Sequence, residues 1–320
     1  MTNPSPLSEK LITVFGGSGY IGQYVAQSLL SRGARLRVVS RNPEKAFGLK
    51  PLANLGQLQF GRCDITDEES VRAALHGADA VVNLVGAFDG NLTQLMGEAP
   101  GKMAAIAAEN GASAFVHVSA IGPDANSSAE YARGKALGET RVFEAFPGAT
   151  ILRPSIVFAK DDNFLNMFGQ MIASLPVLPV FGPDAKLQLV YVDDVAEAVA
   201  VALEHPEQHG GAIFELGGPE QLSMMEINER IAAAQGRERR FIAMPDGLSS
   251  LFAALPLTPM SRDQWTLLQP GSTVSGEHRT FADLGIEPKP VGLFLDKWMT
   301  LYRKHGRFGL SNERAKARGN

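Results

Sequence analysis

Over its first half the chain alternates short apolar, β-branched runs with segments whose apolar positions recur every three to four residues. "KLITVFG" (10–16), "RLRVVSR" (35–41), "LQFGRCDI" (58–65), "DAVVNLVG" (79–86) and "AFVHVSAIG" (114–122) predict strands. "YIGQYVAQSLLSRG" (20–33), closed by Gly33, predicts a helix, as do "DEESVRAALHG" (67–77) and "GKMAAIAAENG" (101–111). "YARGKALGETRVFEAF" (131–146) predicts a longer one, with "ATILRPSIVF" (149–158) as the strand that follows. Strands apolar on both faces, each followed by a helix, are the signature of a parallel sheet covered on two sides.

The texture changes after about residue 158. "SLPVLPVFGPD" (174–184) is proline-rich and predicts a loop, whereas "LQLVYVDDVAEAVAVAL" (187–203) predicts a strand running into a helix. "GAIFELGGPEQLSMMEINERIAAAQG" (211–236) predicts another strand, turn and helix. The expected organisation is a first domain over 1–158 and a smaller lobe over 159–320, with 187–216 contributing back to the first. No internal repeat or low-complexity segment interrupts it.

The chain has 320 residues, a net charge of −4 and a pI near 5.9, which argues against a broad nucleic-acid-binding surface. The basic end, "LYRKHGRFGLSNERAKARGN", is the exception. A single cysteine, Cys63, leaves no intrachain disulfide framework and fits a reducing compartment. "MTNPSPLSEK" lacks the apolar core of a signal peptide, and no run approaches the roughly 18 apolar residues of a membrane span. These features predict a cytoplasmic chain, still able to sit peripherally on a membrane complex.

Candidate chemistry begins at "VFGGSGYIG" (14–22), where Gly16, Gly19 and Gly22 stand three apart between a predicted strand and a predicted helix. Such a turn needs positive φ, lets the backbone approach a pyrophosphate, and ends on a helix N-terminus with unpaired N–H groups. In that context the loop predicts dinucleotide binding and a doubly wound Rossmann sheet. NAD-selective versions place a carboxylate at the end of the second strand; here Ser40 and Arg41 occupy that place. A guanidinium chelates a 2′-phosphate where a carboxylate would repel it, so NADP(H) is preferred and NAD(H) stays open. The bland alternative is a solvated arginine in a turn. Asp64, after the third strand, is a candidate acceptor for the adenine amino group or a turn-capping aspartate. Tyr20 and Ile21 in the loop, Ile65 beside Asp64, and Val85 of "NLVG" complete the candidate cofactor contacts.

"SAIGPDANSSAEYARGK" carries Ser119, Tyr131 and Lys135. Tyr131 and Lys135 are four apart on a predicted helix and share a face. An ammonium beside a phenol stabilises the phenolate, so the pair is a candidate acid–base couple, with Ser119 bonding a substrate oxygen. Hydride chemistry would belong to the cofactor.

"GGSGYIG", "NLVG", Ser119, "YARGK", "LRPSIVF" and "LVYVDDVAEAV" (189–199) together resemble the extended or atypical short-chain dehydrogenases/reductases. "RPSIVFAKDDNFLNMF" (153–168), "LTPMSRDQWTLL" (257–268), "FADLGIEP" (281–288) and "WMTLYRKHGRF" (298–308) are similar, more specifically, to the nucleotide-binding accessory subunits of respiratory complex I and their bacterial relatives. The resemblance implies that Gly16, Gly19, Gly22 and Arg41 hold NADPH. Tyr131 and Lys135 would lie beside the nicotinamide ribose, with Arg153 and Pro154 close to the ring. It implies a structural nucleotide rather than turnover, and membrane-bound NADH dehydrogenase subunits as partners on the cytoplasmic face of the inner membrane. A working NADPH-dependent oxidoreductase or epimerase-like enzyme is the competing expectation, and Ser119 speaks for it.

Other features have plainer readings. His205 and His209 have metal-like spacing, but Pro206 between them argues for a helix end and no metal site. Asp193 and Asp194 read as a helix cap and first-turn acid, and Cys63 as a packed small residue. "LSSLFAALPLTP" (248–259) and "LFLDKWMTLY" (293–302) read either as core of the second lobe or as a docking face.

Overall fold

The apolar runs of the first half form β1 (Leu11–Phe15), β2 (Arg35–Ser40), β3 (Leu58–Arg62), β4 (Ala80–Asn83), β5 (Ala114–Val118) and β6 (Thr150–Pro154). Helices α1 (Tyr20–Ser31), α2 (Glu68–Leu75), α3 (Ala99–Glu109) and α4 (Glu130–Ala145) connect them. Later in the chain come β7 (Val157–Phe158), α5 (Phe164–Ser174), β8 (Val177–Phe181), β9 (Lys186–Leu187) and β10 (Val190–Tyr191). They are followed by α6 (Val192–Glu204), α7 (Pro206–His209), β11 (Ile213–Leu216), β12 (Leu222–Ser223), α8 (Met224–Ala234) and β13 (Arg240–Met244). The computed structural model describes residues 5–247, 249–250 and 262–304.

Two units share the chain. One comprises Met1–Ser155, Val192–Gly217 and Val274–Pro288; the other Ile156–Tyr191, Gly218–Thr273 and Lys289–Asn320. The return of Val274–Pro288 to the first unit has no counterpart in the sequence reading. It is held there by Arg279, whose carbonyl accepts from the Glu215 N–H at 2.8 Å.

The first unit is built on a seven-stranded parallel sheet in the order β11-β6-β5-β4-β1-β2-β3. Chain order reverses between β1 and β4, which creates a crevice at the carboxyl ends of the strands. On one face Phe15, Val39, Val81 and Phe115 pack with Val71, Leu75, Met103 and Val142 from α2, α3 and α4. On the same unit α1 lies beside α6, and Arg32 bridges to Glu197 at 2.5 Å and Glu204 at 3.3 Å. This is the doubly wound Rossmann architecture that the alternation predicts.

The second unit surrounds Phe158, Leu165, Ile172, Leu178, Ile227 and Ile231. Its α8 begins with a capping box in which Ser223 and Glu226 satisfy each other's backbone N–H groups. One expectation fails here. The proline-rich stretch 174–184 is not all loop, because β8 pairs in parallel with β13, Pro179 opposite Ile242. In this two-stranded ribbon every strand is an edge, so a proline that lacks an N–H is tolerated. Leu178 and Val180 point into the core while Val177 and Pro179 face out, the period-2 pattern the prolines had masked.

Candidate functional site

Gly16 follows β1 with φ +76°, and a Cβ there would stand 3.1 Å from the Leu84 carbonyl carbon beyond β4. A Cβ on Gly22 would collide with the Gly16 carbonyl oxygen and the Gly17 Cα, so α1 can cross the loop this closely only as glycine. The turn is tied by the Gly16 N–H to Val39 O at 3.2 Å and the Gly19 N–H to Gly16 O at 2.9 Å. Gly19 is the N-cap of α1 and supplies no side-chain cap, so the N-terminus of the helix meets the crevice as backbone alone. Tyr20 and Ile21 are half-buried on the first turn, Tyr20 edge-on to Tyr24. The backbone cradle that a pyrophosphate requires is therefore built, at the reversal between β1 and β4.

At the end of β2, the Ser40 hydroxyl is buried with no hydrogen-bond partner, and Arg41 is exposed. Asp64 accepts from the Thr66 N–H at 3.0 Å and the Thr66 hydroxyl at 2.8 Å. Those bonds, with a smaller contribution from the Arg41 charge, hold its carboxyl below the usual range. Asp64 thus fills the turn-capping role. Ile65 and Val85 pack against the core under the crevice, and the Val85 N–H donates to Asn83 Oδ1 at 3.0 Å. Asn83 in turn meets His117 Nδ1 at 3.0 Å, its register partner on β5. Burial, with the Lys135 charge adding to it, pushes His117 down to about 3, so the imidazole is neutral. Sequence reasoning missed this Asn–His link, which only the β4–β5 register brings together.

Ser119 leaves β5 buried, its N–H bonded to Leu152 O at 2.7 Å and its hydroxyl without a partner. Tyr131 sits in the first turn of α4 with Phe88 stacked on it, ring centroids 4.8 Å and planes 8° apart. The Lys135 ammonium donates to Val118 O at 3.1 Å and stands 5.9 Å from the Tyr131 ring centroid. The expected electrostatics are reversed. Burial pushes the Tyr131 phenol up to about 12 instead of the ammonium drawing it toward neutrality. Burial also brings Lys135 down to about 8, against the pull of Glu139. The helix reaches this position because a Cβ on Gly138 would collide with the Met96 carbonyl oxygen in the π-helical turn Thr93–Glu98.

Arg153 on β6 is clamped by Glu139 on α4, through Nε at 2.9 Å and Nη2 at 2.6 Å, with Glu215 of β11 at 3.7 Å. Glu215 also accepts from the Ser275 N–H at 2.5 Å. Two carboxylates therefore engage the guanidinium, and Pro154 next to it is buried. Glu139 was legible as the next residue on the Tyr131–Lys135 face, four positions on; Glu215 was not, because it arrives by strand pairing.

The plainer candidates resolve simply. Cys63 is buried, and burial pushes its thiol up. Asp193 and Asp194 are first-turn acids of α6. His205 and His209 flank Pro206, and the His209 ring packs edge-on against Phe214. In 293–302, Leu295 and Met299 are core, whereas Leu293 and Leu301 are exposed. Residues 251–261 and 305–320, with most of the 248–259 docking candidate and of the basic end, lie outside the described residues.

Residues 8–301 match the NmrA-like family. The chain belongs to the NmrA-like family. The chain is 30% identical to "NADH dehydrogenase [ubiquinone] 1 alpha subcomplex subunit 9, mitochondrial" of Arabidopsis thaliana, over 94% of this chain and 80% of that one. It is 28% identical to the "NADH-ubiquinone oxidoreductase 40 kDa subunit, mitochondrial" of Neurospora crassa, over 96% and 83%. Among solved structures it is similar in fold to a dTDP-glucose 4,6-dehydratase from Streptomyces venezuelae with NAD and TYD bound. That match has a TM-score of 0.65 at 18% identity and covers 94% of this chain and 98% of that one. This NmrA-like chain thus has an NAD(P)-binding type of fold and complex I subunits as homologues.

Proposed function

We propose that the chain holds NADP(H) as a structural nucleotide and contributes to the assembly or stability of a membrane-bound NADH dehydrogenase. The observation that carries this reading is the contrast between the two ends of the crevice. The glycine cradle is complete, while Tyr131 lies beneath Phe88 with its phenol pushed up to about 12. A site of that kind binds a nucleotide without an acid–base couple poised to use it.

In this reading Gly16, Gly19 and Gly22 approach the pyrophosphate, with Tyr20 and Ile21 N–H groups at the helix end. Ser40 and Arg41 receive the 2′-phosphate, and Asp64 and Ile65 border the adenine. Val85 lies under the crevice. Tyr131 and Lys135 reach the nicotinamide ribose. Arg153 supports that end through Glu139, and Pro154 borders the ring. Bound NADP(H) supplies hydride-transfer capacity; the residues of the chain orient and shield it. The respiratory relatives support complex I subunits as partners, with peripheral attachment to the membrane. No helix among the described residues is long and apolar enough to cross it.

The unpartnered, buried hydroxyl of Ser119 favours a second reading. In it the chain is an NADPH-dependent reductase or epimerase-like enzyme for a small carbonyl or hydroxyl substrate. Ser119 would bond the substrate oxygen and Tyr131 would deliver the proton once Phe88 has moved aside, with Lys135 lowering the phenol. Native mass spectrometry of the freshly purified chain from membrane extracts separates the two. A retained NADP(H) together with dehydrogenase subunits supports the structural role. Turnover of a carbonyl substrate that Tyr131→Phe abolishes supports the enzyme instead.

A further inference from the structure

Arg62, at the end of β3, is the register partner of Ser40 at the end of β2. The Cys63 N–H donates to Ser40 O at 3.0 Å and closes the two strand ends together. Register partners on neighbouring parallel strands stand about 4.8 Å apart and project to the same sheet face. On that face lies the Ser40 hydroxyl, buried and without a partner. Arg62 is exposed, and among the described residues no hydrogen bond or ion pair engages its guanidinium.

The charges at this corner are unequal to the ligand proposed for it. Near neutral pH a phosphomonoester carries about −1.5 to −2. Arg41 lies near enough to Asp64 for its charge to be felt by that carboxyl, so part of it is already answered. A single, partly compensated arginine does not balance a dianion, whereas a second guanidinium from the neighbouring strand does.

We propose that Arg62 is a second specificity-determining residue, closing on the 2′-phosphate of the adenosine ribose opposite Arg41, with the Ser40 hydroxyl donating between them. The proposal rests on the reading that the glycine loop holds NADP(H). It extends that reading from the residue after β2, where the sequence points, to one that only the β2–β3 register reveals.

Calorimetric titration of the full chain with NADPH, NADH, 2′,5′-ADP and 5′-ADP tests it. Arg62→Gln is expected to weaken NADPH and 2′,5′-ADP by about tenfold or more. NADH and 5′-ADP are expected to stay within about twofold, and Arg62→Lys to recover part of the loss. An Arg62→Gln protein that keeps the unaltered chain's preference for NADPH overturns the proposal and leaves the NADP(H) reading standing. Equal losses for all four ligands overturn it too, since they mark a merely structural role. An unaltered chain that does not discriminate NADPH from NADH overturns the underlying reading itself.

Discussion

Phe88 lies flat on Tyr131, ring centroids 4.8 Å apart, although Phe88 itself is 69% exposed. An exposed aromatic thus covers the residue from which acid–base chemistry would be expected. Removing it lets water reach the phenol. Phe88→Ala is therefore expected to bring Tyr131 from about 12 back toward 10, its ordinary value. An ultraviolet difference titration, assigned with Tyr131→Phe, reads this directly, and an unmoved transition contradicts burial as its cause.

Lys135 gives the protein a distinctive alkaline profile. Its folded value, about 8, lies below its ordinary 10.5, so the folded state carries the cost of a buried ammonium below about pH 8. Between about pH 8 and pH 10.5 the unfolded chain binds more protons, and stability rises with pH by at most on the order of 3 kcal/mol. Tyr131 works the other way only above pH 10, where the folded state keeps a proton that the unfolded chain releases. Urea denaturation of the nucleotide-free protein is expected to show a gain in stability from about pH 8 to about pH 9.5, absent in Lys135→Met. A flat profile in the unaltered chain contradicts the buried ammonium.

The glycines of the loop are not equivalent. A Cβ at Gly22 overlaps backbone, whereas one at Gly19 meets only the Gly16 carbonyl oxygen at 3.1 Å. Gly22→Ala should cost about 1–3 kcal/mol of stability as the loop shifts. Gly19→Ala should cost less, about 1 kcal/mol or under, and act mainly on nucleotide affinity, because the ligand approaches there. Equal melting temperatures for the two variants would contradict the packing argument.

Arg153 holds two buried carboxylates. Arg153→Met leaves Glu139 and Glu215 without their counter-ion and should cost about 3–5 kcal/mol. Adding Glu139→Gln and Glu215→Gln to that variant should return much of the loss, since no unpaired charge then stays buried. A triple variant no more stable than Arg153→Met would contradict the charge explanation.

The sheet and the cradle were legible because both are written locally. Each strand is a short stretch of neighbouring residues rich in apolar positions, and Gly16, Gly19 and Gly22 lie within one turn of chain. The Tyr131–Lys135 pair was legible as positions on one helix face, but not its electrostatics, which depend on Phe88 arriving from the segment after β4. Glu215 beside Arg153, and His117 beside Asn83, depend on strand register, which no local pattern specifies. β8 was hidden for a different reason: its prolines imitate a loop wherever a strand has no ladder to lose.

In the proposed function the crevice above β1 holds NADP(H) through its phosphates. Titration of the nucleotide-free chain with NADPH and with NADH, in one buffer, tests it most directly. NADPH is expected to bind at least about tenfold tighter than NADH, with the difference lost in Arg41→Asp. Equal affinities, tighter NADH, or no binding of either would contradict it.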